Sequence, residues 1–416
     1  MADNYHHNRF GPQKLNINDG RDQNIASQLE VVNVSGDYVR NYNPLLRNPH
    51  KTLWDAVAGV GATHTAEQQY ERGECLEGTR VELREMIGEW GRAREQGSPL
   101  FWLAGTAGVG KTAIAMSAAQ ACEEEGLLVS SFFFFRSDPK RNNPSALWLS
   151  VAHDLVSKVP AIRPLIERRI SEDPKILEAR LEDQFRELIL NPFLNPTLRS
   201  IVEVPNIVII DGLDECGDEA TQLRILTIIR NAVRRAPLFP LRFLICSRPE
   251  AWIQEAFAAR PLRGVSKVIL LDDQFTPEED IRKYYRHQFQ EIVNNLKYKH
   301  VRFPNPWPSQ KDFDILVDKS CRQFVYVSTV VRFITLAGTH PIDQLSLIIE
   351  SSSDQSGTSP FHELDMLYDT ILKASAMPEK VHAILIAILV LTTDRLAGPP
   401  EDATSSEASI TNSSTY

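Results

Sequence analysis

In the middle of this 416-residue chain the hydrophobic residues come in short, nearly unbroken runs. Phe101–Ala104, Leu127–Phe135, Ile207–Ile210, Leu241–Cys246 and Val268–Leu271 are rich in β-branched, leucine and aromatic residues and carry little polar alternation. Runs of this length without a polar face predict strands buried on both sides. Between them lie segments with helical character: Lys111–Glu125, Ala146–Lys158, Arg180–Leu190 and Ala220–Arg235. Strand and helix signals alternate across 99–273, which predicts an α/β domain with a parallel sheet and helices on both faces. Phe132-Phe133-Phe134-Phe135 fits a doubly buried strand better than an aromatic cofactor box.

The flanks have different patterns. Residues 1–50 are rich in Asn, Asp, Gly and Gln and predict a disordered arm without a stable core. Within that arm Gln28–Val39 partly alternates, as a weak strand or a short self-assembly motif would. Residues 51–98 read as a helical lead-in, with Thr79–Arg94 its best amphipathic piece. From 274 to 378 the pattern is helical throughout. Thr276-Pro277-Glu278-Glu279-Asp280 supplies an N-cap, a first-turn proline and acids in the order a helix start requires. Ile281–Asn294 continues that helix, and further helices are predicted around Phe313–Leu336, Pro341–Glu350 and Leu364–Ala374. Glu379–Thr392 repeats the helical spacing, with Val381, Ile384, Leu385, Ile388 and Leu391 on one face. Residues 396–416 are dominated by Ser, Thr, Pro and Glu and predict a disordered tail. No internal repeat of 20–50 residues is present.

Composition narrows the class. Hydrophobic content of 43% and charged content of 24% are those of a soluble globular protein. The net charge of −9 leaves no basic footprint, so nucleic acid is not an expected partner. Cys75, Cys122, Cys216, Cys246 and Cys321 show no C-x-x-C spacing and predict reduced thiols instead of disulfides or a zinc site. Residues 1–30 lack the apolar core of a signal peptide, and Ala383–Leu391 is too short to span a bilayer. A cytoplasmic protein without a transmembrane segment is the expectation.

Three segments carry chemistry. Gly105-Thr106-Ala107-Gly108-Val109-Gly110-Lys111-Thr112 satisfies the phosphate-loop pattern G-x-x-x-x-G-K-[ST] between a predicted strand and a predicted helix. Its glycines let backbone N–H groups close around phosphate oxygens, and the helix start turns its positive end toward them. Lys111 would neutralise the β- and γ-phosphates, and Thr112 would ligate Mg²⁺. The run Ile207–Ile210 ends in Asp211-Gly212-Leu213-Asp214-Glu215, delivering carboxylates at a strand's C-terminal end, where ligands of such sheets sit. Asp211 is the second expected Mg²⁺ partner, directly or through water, and Asp214 and Glu215 are placed to orient an attacking water. Leu241–Cys246 leads into Ser247-Arg248-Pro249, which puts the Arg248 guanidinium within reach of a γ-phosphate.

These three elements, in this order, resemble the NACHT family of signal-transduction NTPases with numerous domains. The resemblance covers about residues 52–395 and is closest to fungal members of nephrocystin-3-like N-terminal type. Leu53-Trp54-Asp55-Ala56-Val57, Gly61-Ala62-Thr63-His64 and Arg72–Arg80 are similar to the lead-in of those members. Phe324–Thr329 and Leu364–Tyr368 resemble the family's helical extension, although Cys321 and Arg322 replace glycines common there. The resemblance implies a P-loop core over 99–273, a helical domain over 274–378 and a winged-helix segment cut short over 379–395. It also implies a switch that binds ATP or ADP with Mg²⁺, hydrolyses slowly and associates through its helical extension with further copies or a partner protein. Fungal immunity-like or incompatibility signalling is the implied setting. GTP is the alternative nucleotide, disfavoured because no N-K-x-D segment follows a late strand. A nucleotide-holding scaffold without turnover and a constitutive ATPase remain the alternative functions. Removing the loop cation should be decisive: Lys111→Ala is expected to cost on the order of 1.5–3 kcal/mol of Mg·ATP binding, read by titration calorimetry, and unchanged affinity would overturn the phosphate-loop assignment.

Overall fold

The computed structural model describes residues 48–93, 97–196, 205–235, 239–271, 275, 277–350, 362–374, 380, 384 and 385. The apolar runs form five strands, β1 (Leu100–Ala104), β2 (Leu128–Phe133), β3 (Ile207–Asp211), β4 (Arg242–Ser247) and β5 (Ser266–Leu270). They pair in parallel in the order β2-β3-β4-β1-β5, so β4 is inserted between the first strand and the third.

Although the runs lack polar alternation, the strands still segregate their side chains with a period of two. Leu100, Trp102, Ala104, Val208, Ile210, Phe243 and Ile245 belong to one core, and Phe101, Leu103, Ile207, Ile209, Leu244 and Cys246 to the other. The first face is covered by α1 (Pro49–Val57), α4 (Ser145–Lys158), α5 (Arg163–Glu172), α8 (Glu219–Val233) and α9 (Ala251–Ala258), the second by α2 (Val81–Arg92) and α3 (Lys111–Glu124). Stacking of Trp102 on Phe257, with ring centroids 4.3 Å apart, closes the first face at its centre. The aromatic run behaves as a doubly buried strand: Phe132 and Phe133 are wholly buried, on opposite cores.

Two expected boundaries shift. β2 ends at Phe133, two residues before the end of the apolar run, because Phe135 turns away to receive the Arg141 guanidinium over its ring. The helix expected over Arg180–Leu190 is α6 (Leu181–Phe185), then one π-helical turn (Arg186–Leu190), then α7 (Asn191–Leu194). Pro192 accounts for the widened turn, since it has no N–H and its ring crowds the carbonyl one turn earlier.

The lead-in has a structural use that apolar spacing does not reveal. Ala62 accepts a hydrogen bond from the Phe133 N–H, and the His64 N–H donates to Ser131 Oγ, so residues 62–64 lie along the outer edge of β2. The five cysteines are free thiols, with Cys122, Cys216 and Cys246 buried. Among the described residues no helix is long and apolar enough to cross a membrane.

After β5 and the short α10 (Arg260–Arg263) that precedes it, the chain is helical: α11 (Glu278–Asn294), α12 (Gln310–Lys319), α13 (Phe324–Ile334), α14 (Pro341–Glu350) and α15 (His362–Lys373). Pro277 flanks α11 instead of occupying its first turn, and Thr276 lies outside the described residues. Ile281, Tyr285, Phe289, Leu316, Val327, Val330 and Ile348 are the centre of a third, separate core. Of the apolar face expected over 381–391, Ile384 and Leu385 are exposed and the other three positions lie outside the described residues. The segment Gln28–Val39 lies outside them as well.

Cys321 and Arg322, which break the chain between α12 and α13, adopt φ of 45° and 65°. Left-handed backbone costs a non-glycine residue roughly 1–2 kcal/mol. The turn that glycines would make freely is therefore made here under strain. Cys321→Gly should raise the unfolding free energy by about 0.5–1 kcal/mol, once glycine's own entropy cost is subtracted, and Cys321→Val should lower it; urea unfolding midpoints of the two variants would show both signs.

Candidate functional site

The segment Gly105–Thr112 leaves β1 and enters α3, as its pattern predicts. Gly110, at φ 95°, is the residue before the first helical position and permits the reversal that a side chain would resist. Small residues such as Ala115, Ala118 and Ala119 let α3 lie close to the sheet. Lys111 donates from Nζ to the carbonyls of Gly105 (2.7 Å) and Thr106 (2.8 Å), so the ammonium is folded into the mouth of the loop. Burial pushes the Lys111 pKa down, against the opposing pull of Asp211 and Asp214. An anionic phosphate there would relieve the desolvation that the protein alone imposes.

Strand register brings the second element to the loop. Asp211 stands opposite Cys246 on β4, and Ser247 stands opposite Ala104, the residue before the loop. Thr112 Oγ1 donates to Asp211 Oδ2 at 2.8 Å, which joins the two residues expected to share Mg²⁺. One is an oxygen donor at the start of α3 beside Lys111 and the other a carboxylate at the end of β3, a donor set that fits a hard, partly hydrated cation carried in with phosphate. Among the described residues no group of three or more His, Cys, Asp or Glu gathers as a self-sufficient metal site.

The acidic turn is more constrained than its sequence suggests. Leu213–Glu215 form a single 3-10 turn directly after β3. The Asp214 carboxylate is 3% exposed, accepts the Arg248 N–H at 2.9 Å and pairs with Arg248 Nε at 3.4 Å. Arg248 is therefore tied to Asp214 at the end of β4 in this arrangement, as a locally paired arginine. Glu215 Oε2 accepts the N–H of Arg136 at 2.9 Å, and Arg136 Nη2 donates to the Asp214 carbonyl at 3.0 Å. Arg136 carries no motif; its only signal is its position one residue past the aromatic run.

The helical extension sits on the loop. Val325, at the start of α13, donates its N–H to the Gly108 carbonyl at 3.1 Å. Gly108 has φ 81°, and a Cβ there would lie 2.3 Å from Val325 Cγ1. Glycine is required at this position by backbone conformation and by the approach of α13 together. Arg80, just before α2, reinforces the junction. Its Nη2 donates to the Val109 carbonyl (3.0 Å), its N–H to Asp280 Oδ2 on α11 (3.2 Å), and its guanidinium lies 5.4 Å from the Phe324 ring centre. Arg80, Thr106, Val109, Phe275, Arg322 and Gln323 line a cavity of about 250 Å³ between loop and extension.

Residues 83–248 match the family described as nephrocystin 3, N-terminal. That stretch is similar to the family from within α2 through the strand-end Arg248 and contains the phosphate loop, the acidic strand end and Ser247-Arg248. Curated proteins give no match to this chain. Solved structures with a similar course include the ADP form of the Aeropyrum pernix ORC2 protein, at 14% identity and a TM-score of 0.38 over 76% of this chain and 74% of that one. A signal transduction ATPase with numerous domains and a tetratricopeptide repeat sensor from Pyrococcus horikoshii matches at 15% identity and a TM-score of 0.35, over 72% of this chain and 40% of that one. AMPPCP-bound DnaA from Aquifex aeolicus matches at 11% identity and a TM-score of 0.37, over 78% and 91%. The P-loop NTPase fold of this chain is set by its own strand order and phosphate loop.

Removing the Arg80 side chain strips a hydrogen bond from the loop and an ion-pair partner from Asp280. Arg80→Ala is expected to lower the unfolding free energy by about 2–3 kcal/mol in urea titration. A change below about 0.5 kcal/mol would show that the junction does not depend on it.

Proposed function

We propose that this chain is a nucleotide-dependent switch that binds Mg·ATP at Gly105–Thr112 and hydrolyses it slowly. The observation that carries this reading is the bond from Val325 to Gly108, because it makes the position of the extension depend on the loop that holds phosphate. A ligand shifts such an equilibrium only through its differential affinity for the two arrangements, and inverting a 1:99 population takes about 5.5 kcal/mol. The β- and γ-phosphates would be held by the loop N–H groups and Lys111, and the nucleoside by the cavity that Arg80, Thr106 and Val109 line. Bound Mg²⁺ would supply charge neutralisation on those phosphates, with Thr112 and Asp211 on its protein side. ATP is favoured over GTP by the missing guanine-reading segment. The arrangement resembles a closed state of NACHT-type switches, in which opening of the extension exposes surfaces for self-association or for a partner protein. A fungal immunity-like or incompatibility pathway is the setting that the resemblance supports.

Water handling falls to the acidic turn. The Asp214 carboxylate is nearly buried and paired with Arg248, and the turn it shares with Glu215 borders an open cleft of about 720 Å³ that Arg136 and Trp252 also line, a route by which water would reach Glu215. The same pairings favour the second reading, a scaffold that retains nucleotide without turnover, since both carboxylates are already engaged by protein donors.

Single-turnover hydrolysis with enzyme in excess separates the two. Asp211→Asn should weaken Mg²⁺-dependent ATP binding about tenfold, and Asp214→Asn with Glu215→Gln should keep ATP bound while hydrolysis falls at least a hundredfold. Hydrolysis at the wild-type rate in the double variant would refute the role of the turn. No hydrolysis by the wild type itself would establish the scaffold.

A further inference from the structure

We infer that Arg136 is a positioning residue for hydrolysis, holding the acidic turn so that Glu215 faces the open cleft in one fixed pose; the inference rests on the hydrolytic reading above. Arg136 grips two consecutive residues of the turn from two sides. Its main-chain N–H binds the Glu215 carboxylate and its guanidinium binds the Asp214 carbonyl. That carbonyl also receives Gln222 Nε2 at 3.2 Å, so the turn is pinned from α8 on one side and from the loop after β2 on the other.

The loop carrying Arg136 is built to keep it still. Phe134 donates its N–H to the Asp211 carbonyl, which continues the β2–β3 pairing one residue past the strand. Phe135 and Arg141 then close a turn, with Phe135 N–H donating to the Arg141 carbonyl at 3.2 Å. Asp138 binds Arg141 Nε at 2.7 Å and the Lys140 N–H at 2.9 Å, and Asn142 Nδ2 donates to the Arg136 carbonyl at 3.0 Å. A loop whose only task was to join β2 to α4 would not need a residue bonded through N–H and side chain to an acidic turn some eighty positions away and held at its carbonyl by Asn142. Arg248 meets the turn differently, with its N–H and Nε both on the buried Asp214 carboxylate at the end of β4.

The role predicts a kinetic split. Glu215 stays bonded to the Arg136 main chain in any side-chain variant, so nucleotide affinity should hold while the precision of the turn is lost. A misplaced reacting group costs up to a hundredfold in rate. Arg136→Ala should lower the single-turnover rate constant tenfold to a hundredfold with the Mg·ATP Kd changed less than twofold, and Arg136→Lys, which keeps a donor for the Asp214 carbonyl, should recover most of the loss. Asn142→Ala loosens the same residue from behind and should cause a smaller loss of the same kind; it carries the test if Arg136→Ala does not fold. A wild-type rate in Arg136→Ala, or a loss of rate matched by an equal loss of affinity, overturns the proposal. If Asp214→Asn with Glu215→Gln also hydrolyses normally, the hydrolytic reading has failed; if that double variant is inactive, only Arg136 has been misassigned.

Discussion

The bond between the Thr112 hydroxyl and Asp211 is the point on which the rest of the site depends. It spans from the second residue of a helix to the last residue of a strand 99 positions later. The two meet because β4 lies between β1 and β3 and holds the ends of all three at one level: Ala104 beside Ser247, Cys246 beside Asp211. A slip of one residue in any of those pairings would turn Asp211 onto the opposite face of the sheet. The apolar packing of two cores, one on each face, fixes the register, and the register fixes the chemistry.

A second dependence runs from that level to the helical extension. The loop contributes carbonyls as well as N–H groups: Gly105 and Thr106 hold Lys111, Gly108 holds Val325, and Val109 holds Arg80. The groups that turn inward toward a phosphate and those that turn outward toward the extension belong to the same eight residues. Rearrangement on one side is therefore felt on the other through main chain alone, without a relay of side chains. The left-handed turn at Cys321 and Arg322 adds strain at the base of α13, where the extension bears on the loop.

Much of this was legible in the sequence, for identifiable reasons. Strands buried on both faces must be apolar throughout, so the five runs were visible, and their ends fell within two residues of the observed ones. The phosphate loop and the acidic strand end were visible because phosphate and metal chemistry demands particular residues at particular spacings. Strand order was not, since nothing local in β4 says that it enters between β1 and β3. Nor were Arg80 and Arg136 assignable to the site. The guanidinium hydrogen bonds that tie them to the site, to Val109 and Asp214, go to main-chain carbonyls, which any residue supplies, and so leave no spacing to look for. The π-helical turn after α6 was hidden for a different reason: Pro192 marks a disturbance, while the wider turn that absorbs it is a choice of the backbone.

The lead-in strip along β2 has a bearing on how copies of this protein can meet. A parallel sheet ends in a strand whose outward main-chain groups are ready to pair with another chain. Here the outward N–H of Phe133 is already spent on Ala62, and the Ser131 hydroxyl beside it is spent on the His64 N–H. The protein has in effect donated a piece of itself as a selvedge. Where that strip lies, an incoming strand would have to displace Ala62 before it could pair with Phe133, so contact there falls to side chains, which distinguish one neighbour from another.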